Sequence, residues 1–223
     1  MPSCRHIVLA LAATAAVGLS PSAAGAQQAP AWQDSWFWGA YGGQTSFATS
    51  VARTNAPTIG VEWMITRTRY TLNVFAEQSY FNAVSTVPDF STPAARRVNI
   101  TDMRRVGFAA MFFLPEVSGM KPYFNAGWAF NFIKAAVPQP PASFSSAAAR
   151  DSVLNRIDAA RSNGKFFASL GLMQLSGKFA PFAQYSIMPT KGSGDWMVNG
   201  EGFTNIWSLG LRYNFGSSIE KKW

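Results

Sequence analysis

A chain of 223 residues is long enough for one sizeable domain. With 48% hydrophobic and 14% aromatic residues against only 13% charged, it is poorly suited to a water-soluble β protein, whose solvent face would need many more Lys, Glu and Asp. The formal charge of +8 invites a nucleic-acid reading, but the basic residues fall at strand ends with no interleaved aromatic platform, so no nucleic acid is expected as a partner.

The chain opens MPSCRHIVLALAATAAVGLSPSAAGA, with Arg5 ahead of an apolar stretch from Ile7 to Leu19 and a close on Ala24-Gly25-Ala26. This is the pattern of a secretory signal with an A-x-A cleavage site, and the mature chain is expected to begin at Gln27. Cys4 and His6, the one cysteine and the one histidine, leave with it. The exported part then forms no disulfide and carries no imidazole. Serine-histidine and aspartate-histidine chemistry are removed, and imidazole metal sites with them, so no enzyme, catalytic residue, metal or cofactor is expected. Downstream, no apolar run approaches the length of a transmembrane helix. Any membrane insertion has to be by strands.

Alternation with a period of two marks eight strands. They are Trp36 to Phe47, Thr58 to Arg67, Arg69 to Phe81, Ile100 to Leu114, Pro122 to Lys134, Lys165 to Leu175, Lys178 to Met188 and Phe203 to Phe215. The second, fourth and sixth connections are short and the others longer, as in a meander with tight turns at one end and loops at the other. The expected organisation is a signal peptide (1–26), a short lead (27–34), one β-barrel domain (35–216) and a tail (217–223).

Bulk decides which face looks out. In the fifth strand Phe124, Ala126, Trp128, Phe130 and Phe132 oppose Tyr123, Asn125, Gly127, Ala129 and Asn131. In the eighth, Trp207, Leu209, Leu211, Tyr213 and Phe215 oppose Ser208, Gly210, Arg212 and Asn214. The large apolar faces suit lipid, and the small or polar ones suit a tight lumen. Phe124, Trp128, Phe130, Trp207, Leu209, Leu211, Tyr213 and Phe215 are therefore expected to form an outward band. Hydrocarbon offers no partner for an unpaired edge, so the first and eighth strands must pair. The fold expected is all-β, an eight-stranded antiparallel up-and-down transmembrane β-barrel.

This pattern resembles the small outer-membrane β-barrel proteins of the OmpA/OmpX type, a broad porin-like group, over residues 35 to 216. The resemblance rests on the signal peptide, the eight alternating strands, the asymmetry of turns and loops, and the aromatic last strand ending Tyr213-Asn214-Phe215. It implies a bacterial outer-membrane location and contact with lipopolysaccharide and phospholipid. It also implies recognition by the outer-membrane assembly machinery through a terminal aromatic, here Phe215 or Trp223, and an extracellular ligand that the residues do not name.

On the lumen face, Glu62, Glu77, Arg105 and Arg212 form an expected charge network. Glu77 and Arg105 fall at similar heights on neighbouring strands, and Glu62 and Arg212 lie nearer the periplasmic end, within reach across a narrow lumen. The network either plugs the barrel or lines a narrow path for small solutes. Arg96, Arg97 and Arg104, near the outer end of the fourth strand, are expected to meet lipopolysaccharide phosphates. In the third long loop, Asp151 to Ser162 reads as a short helix with Val153, Leu154 and Ile157 on one stripe and Asn163-Gly164 as its stop. It either covers the mouth or binds a partner. The reading favoured is a structural or surface-interaction protein acting through its outer loops; the alternatives are a narrow pore and a soluble barrel with its faces inverted.

Overall fold

A computed structural model describes residues 33–67, 70–89, 95–140, 143–190 and 196–219. The expected signal peptide, residues 27–32 of the lead, and the end of the tail with Trp223 lie outside the described residues. Eight strands follow one another: β1 (Ser35–Ala48), β2 (Arg53–Thr66), β3 (Tyr70–Val87), β4 (Arg96–Phe113), β5 (Met120–Gln139), β6 (Ser162–Gln174), β7 (Phe179–Pro189) and β8 (Phe203–Ser217), with the helix α1 (Ala147–Ala160) between β5 and β6. Each pairs antiparallel with the next, and β8 returns to pair with β1, so the sheet is a closed barrel. No helix among the described residues is long and apolar enough to cross a membrane.

The register sets the shape. Following partners once around from Trp36 through Ile65, Leu72, Ala110, Ala126, Ala168, Ile187 and Asn205 returns to β1 at Ser46, ten residues above the start. That stagger tilts the strands by about 40°, at which about ten residues span the hydrocarbon core. Outward apolar positions fill such a span on each strand. Leu209 is 69% exposed, Phe215 62% and Phe124 37%. Water would penalise this surface heavily, and lipid does not. The barrel wears its apolar face outside.

Several strands run further outward than alternation predicted. β2 begins at Arg53, β3 reaches Val87, β4 begins at Arg96 and β5 reaches Gln139. There the outer face turns polar, with Asn82 and Arg97, while Ala83, Val87, Val98 and Ile100 stay buried inside. A bulge also breaks the pattern: Tyr80 and Phe81 of β3 stand opposite Asp102 of β4, whose φ is 53°. Aspartate tolerates that left-handed conformation, and its Oδ1 accepts the Phe81 N–H at 3.3 Å. Below the bulge the odd positions of β4 face inward, and above it the even ones do.

The expected helix is displaced. α1 starts at Ala147, capped by Ser146, whose Oγ accepts the Ala149 N–H at 3.1 Å. It ends at Ala160 because Asn163 and Gly164 belong to β6, paired with Asn131 and Phe130.

An outward band in lipid has a specific cost signature. Leu211→Arg, at the middle of the β8 band, should lose about 2–4 kcal/mol of folding stability in vesicles, and Gln44→Arg near its outer end no more than about 1. Urea titration in lipid vesicles checks the difference; equal effects at both positions would contradict it.

Candidate functional site

The lumen is built around two ion pairs. Glu62 of β2 and Arg212 of β8 are not neighbours in the sheet; each lies in register with Gly39 of β1. A Cβ on Gly39 would stand 2.8 Å from Glu62 Cγ and Oε1, so the missing side chain is the space in which the two charges meet. Arg212 Nε donates to Glu62 Oε1 at 2.6 Å and Nη2 to Oε2 at 3.2 Å. Asn73 Nδ2 donates a further bond to Glu62 Oε2 at 2.7 Å. The guanidinium, fully buried, lies 3.9 Å over the Phe182 ring and 5.2 Å from that of Tyr123. Such a fork-to-carboxylate arrangement is the geometry that tolerates desolvation.

The second pair is a register pair. Glu77 faces Arg105 across β3 and β4, with Arg105 Nη2 2.5 Å from Glu77 Oε1, and Tyr41 donates its hydroxyl to Glu77 Oε2 at 3.1 Å. All four charged side chains are buried.

Glycine and aromatic residues fill what remains. Tyr41 pairs with Gly60, Phe75 with Gly107, Tyr123 with Gly171 and Phe182 with Gly210. Each ring lies where the partner glycine's Cβ would stand. A small residue opposite a large one lets eight strands close around bulky rings. A cavity of about 20 Å³ remains beside Asn73, Asn125, Gln184 and Arg105, room for about one water.

Apolar layers close both ends. Toward the short turns, Phe37, Met64, Met111, Met173 and Ala180 pack with Tyr123 and Phe182. At the mouth, Val153, Ile157 and Ala160 of α1 and Trp196, Met197 and Val198 pack against Phe47, Val98, Ile100 and Ile133. Ser85 Oγ donates to the Met197 carbonyl at 2.8 Å and pins that segment. Of the expected helix stripe, Val153 and Ile157 are buried and Leu154 half-buried. The part played by Trp196 to Val198 was not legible, because a three-residue apolar stretch in a loop has no periodicity to read.

The arginine group at the rim divides. Arg96 is corrected: it points inward, not toward lipid. Its Nε donates to Asp89 Oδ2 at 2.8 Å, its Nη2 to the Ser143 carbonyl at 2.9 Å, and its guanidinium lies 4.2 Å over the Phe144 ring. The bulge at Asp102 is the reason, since it gives Arg96 and Arg104 opposite sides despite their even spacing. Arg97 and Arg104 are exposed on the outer face, Arg104 also donating from Nε to Gln78 Oε1 at 3.1 Å. In the outward band, Phe124, Trp128, Phe130, Trp207, Leu209, Leu211 and Phe215 are exposed and Tyr213 is half-buried, stacked edge-on against Phe179 and Phe215.

No family model matches the chain, and no curated protein sequence matches it. Among solved structures it is similar to Neisserial surface protein A, with a TM-score of 0.52 and 12% identity over 81% of this chain and 97% of that one. Ail, the attachment invasion locus protein of Yersinia pestis, solved in complex with the heparin analogue sucrose octasulfate, aligns with a TM-score of 0.48 and 12% identity over 82% of this chain and 99% of that one. The first likeness establishes the fold, that of a small outer-membrane β-barrel.

Removing one member of a buried pair leaves the other charge stranded. Glu62→Ala should destabilise the barrel by about 3–5 kcal/mol, and Glu62→Met combined with Arg212→Met should recover most of that loss. Unfolding titrations of the single and double variants check it; a double variant as unstable as the single would show that the pair itself, and not the stranded charge, matters.

Proposed function

We propose that this protein resides in the bacterial outer membrane as a sealed barrel with a structural or surface-interaction role, carried by its outer loops and by the sheet that stands above the membrane. The observation that supports this reading most directly is the filled interior. Two apolar layers and a neutralised polar layer lie in series along the axis, and a cavity of about 20 Å³ offers no continuous path for a hydrated ion. A narrow pore would need all three layers to part at once. The interior leaves no room for a ligand of ordinary size either, which also speaks against a soluble carrier.

The chemistry thus lies on the outside. The apolar band meets acyl chains, and Arg97 and Arg104 stand where phosphates of lipopolysaccharide would be matched by guanidinium. Phe215, exposed at the end of β8, is the residue we assign to recognition by the assembly machinery. The mouth, with α1 packed against it, is the surface we assign to an extracellular ligand.

Purified protein in planar bilayers is expected to pass no single-channel current, and a steady ion-selective current would overturn the sealed reading. Orientation is tested separately, since no cysteine is expected in the exported chain. Ser145→Cys, beside α1, should react with a membrane-impermeant maleimide on intact cells, and Glu116→Cys, in a short turn, only after lysis. The reverse pattern would place the loops inside.

A further inference from the structure

The lipid face of β3 carries a groove headed by a cation. Ala76 lies in register with Val61 of β2 and Val106 of β4, and all three are exposed. A methyl between two branched side chains leaves a trough. Two residues toward the short turns the trough passes over Val74, in register with Trp63 and Phe108; two residues the other way it ends at Gln78, in register with Arg104. Two hollows, of about 590 and 550 Å³, share Val61, Ala76 and Val106, so they form one groove, about 13 Å long from Val74 to Gln78 along the strand. These residues are the even positions of β3 and lower β4 and the odd ones of β2, so all of them stand on the outer face.

The head of the groove is held in place. Arg104 is exposed, and its Nε donates to Gln78 Oε1 at 3.1 Å. Its two Nη groups have no partner among the described residues. The neighbouring carboxylates are engaged elsewhere: Glu77 faces the lumen and Arg105, and Asp102 accepts from the Phe81 N–H and stands 3.7 Å from Lys134 Nζ. Below Arg104 the outward residues of β4 are apolar and exposed, Val106, Phe108 and Phe112 among them. The guanidinium therefore stands at the edge of the hydrocarbon, in the layer of lipid phosphates. Arg97 lies seven residues further along β4, about 18 Å higher for a rise of about 3.3 Å per residue and a tilt of about 40°. It stands above that layer.

We infer that the groove binds one molecule of lipid A, the phosphorylated and acylated anchor of lipopolysaccharide. An acyl chain lies over Ala76 and Val74 between their flanking walls, and a phosphate accepts from the Nη groups of Arg104. A pinned guanidinium fork matches the paired oxygens of a phosphate and the trough beneath it matches an acyl chain, and one amphiphile supplies both. The inference rests on the membrane placement and orientation proposed above, which put Arg104 in the lipopolysaccharide leaflet.

Native mass spectrometry of the exported protein in an uncharged detergent, titrated with lipid A, tests it. The wild type should retain one lipid A. Arg104→Gln should weaken retention about tenfold, the worth of one charge-assisted hydrogen bond, and Ala76→Phe, which fills the trough, should weaken it at least as much. Arg97→Gln should leave it unchanged, because lipid A does not reach that height. Lipid A stripped of its phosphates, phosphatidylglycerol and inorganic phosphate should each be held much more weakly than lipid A. Retention at the wild-type level by Arg104→Gln or Ala76→Phe, loss of retention by Arg97→Gln, or equal retention of the stripped lipid or of phosphatidylglycerol would overturn the inference. A variant is counted only if its gel mobility still shifts on boiling, and either Arg104→Gln or Ala76→Phe decides by itself. A wild type soluble without detergent, or labelling of Glu116→Cys on intact cells, would refute the membrane placement or its orientation instead.

Discussion

Pairing between β1 and β8 is the constraint on which the rest depends. In hydrocarbon an open sheet edge carries a row of backbone groups with no partner, and closure removes it. Here closure runs from Ser35↔Ser217 to Ser46↔Asn205. Once the sheet is a ring, each strand has only an inside and an outside. The outside is governed by lipid and the inside by volume, because eight strands enclose little more than their own side chains.

Volume explains the composition of the lumen better than polarity does. Four rings rest on four cross-strand glycines, and the charged pair of β2 and β8 meets over a fifth, Gly39. Arg212 is held by a carboxylate, a thioether and two aromatic faces. The four charged side chains are paired. Exceptions among the polar groups include Thr71 Oγ1, Asn125 Oδ1, Asn131 Oδ1 and Asn214 Nδ2, which are buried without hydrogen-bond partners, Asn125 beside the small cavity.

Above the membrane the same ring solves a different problem. Water now bathes the outer face, so β3, β4 and β5 turn polar outside and apolar inside, and the mouth acquires a small soluble-type core with α1 and Trp196 to Val198 as its cover. The bulge at Asp102 lies where the change occurs. An interior inverted in this way from one end of a strand to the other allows one chain to be both a membrane barrel and a folded surface.

Alternation by itself determined the strand count, the outward band and the shared face of Glu62, Glu77, Arg105 and Arg212, because a period of two is a local property of the backbone and survives without tertiary information. It stopped where the solvent changed: the polar outer ends of β2, β3, β4 and β5 lost their contrast, and the one-residue phase slip at Asp102 hid the inward turn of Arg96. Only the closed structure decided which charges touch. Glu62 and Arg212 meet because the β1–β2 and β1–β8 registers set both beside Gly39, and the second of these exists only once the ring closes, which no single strand records.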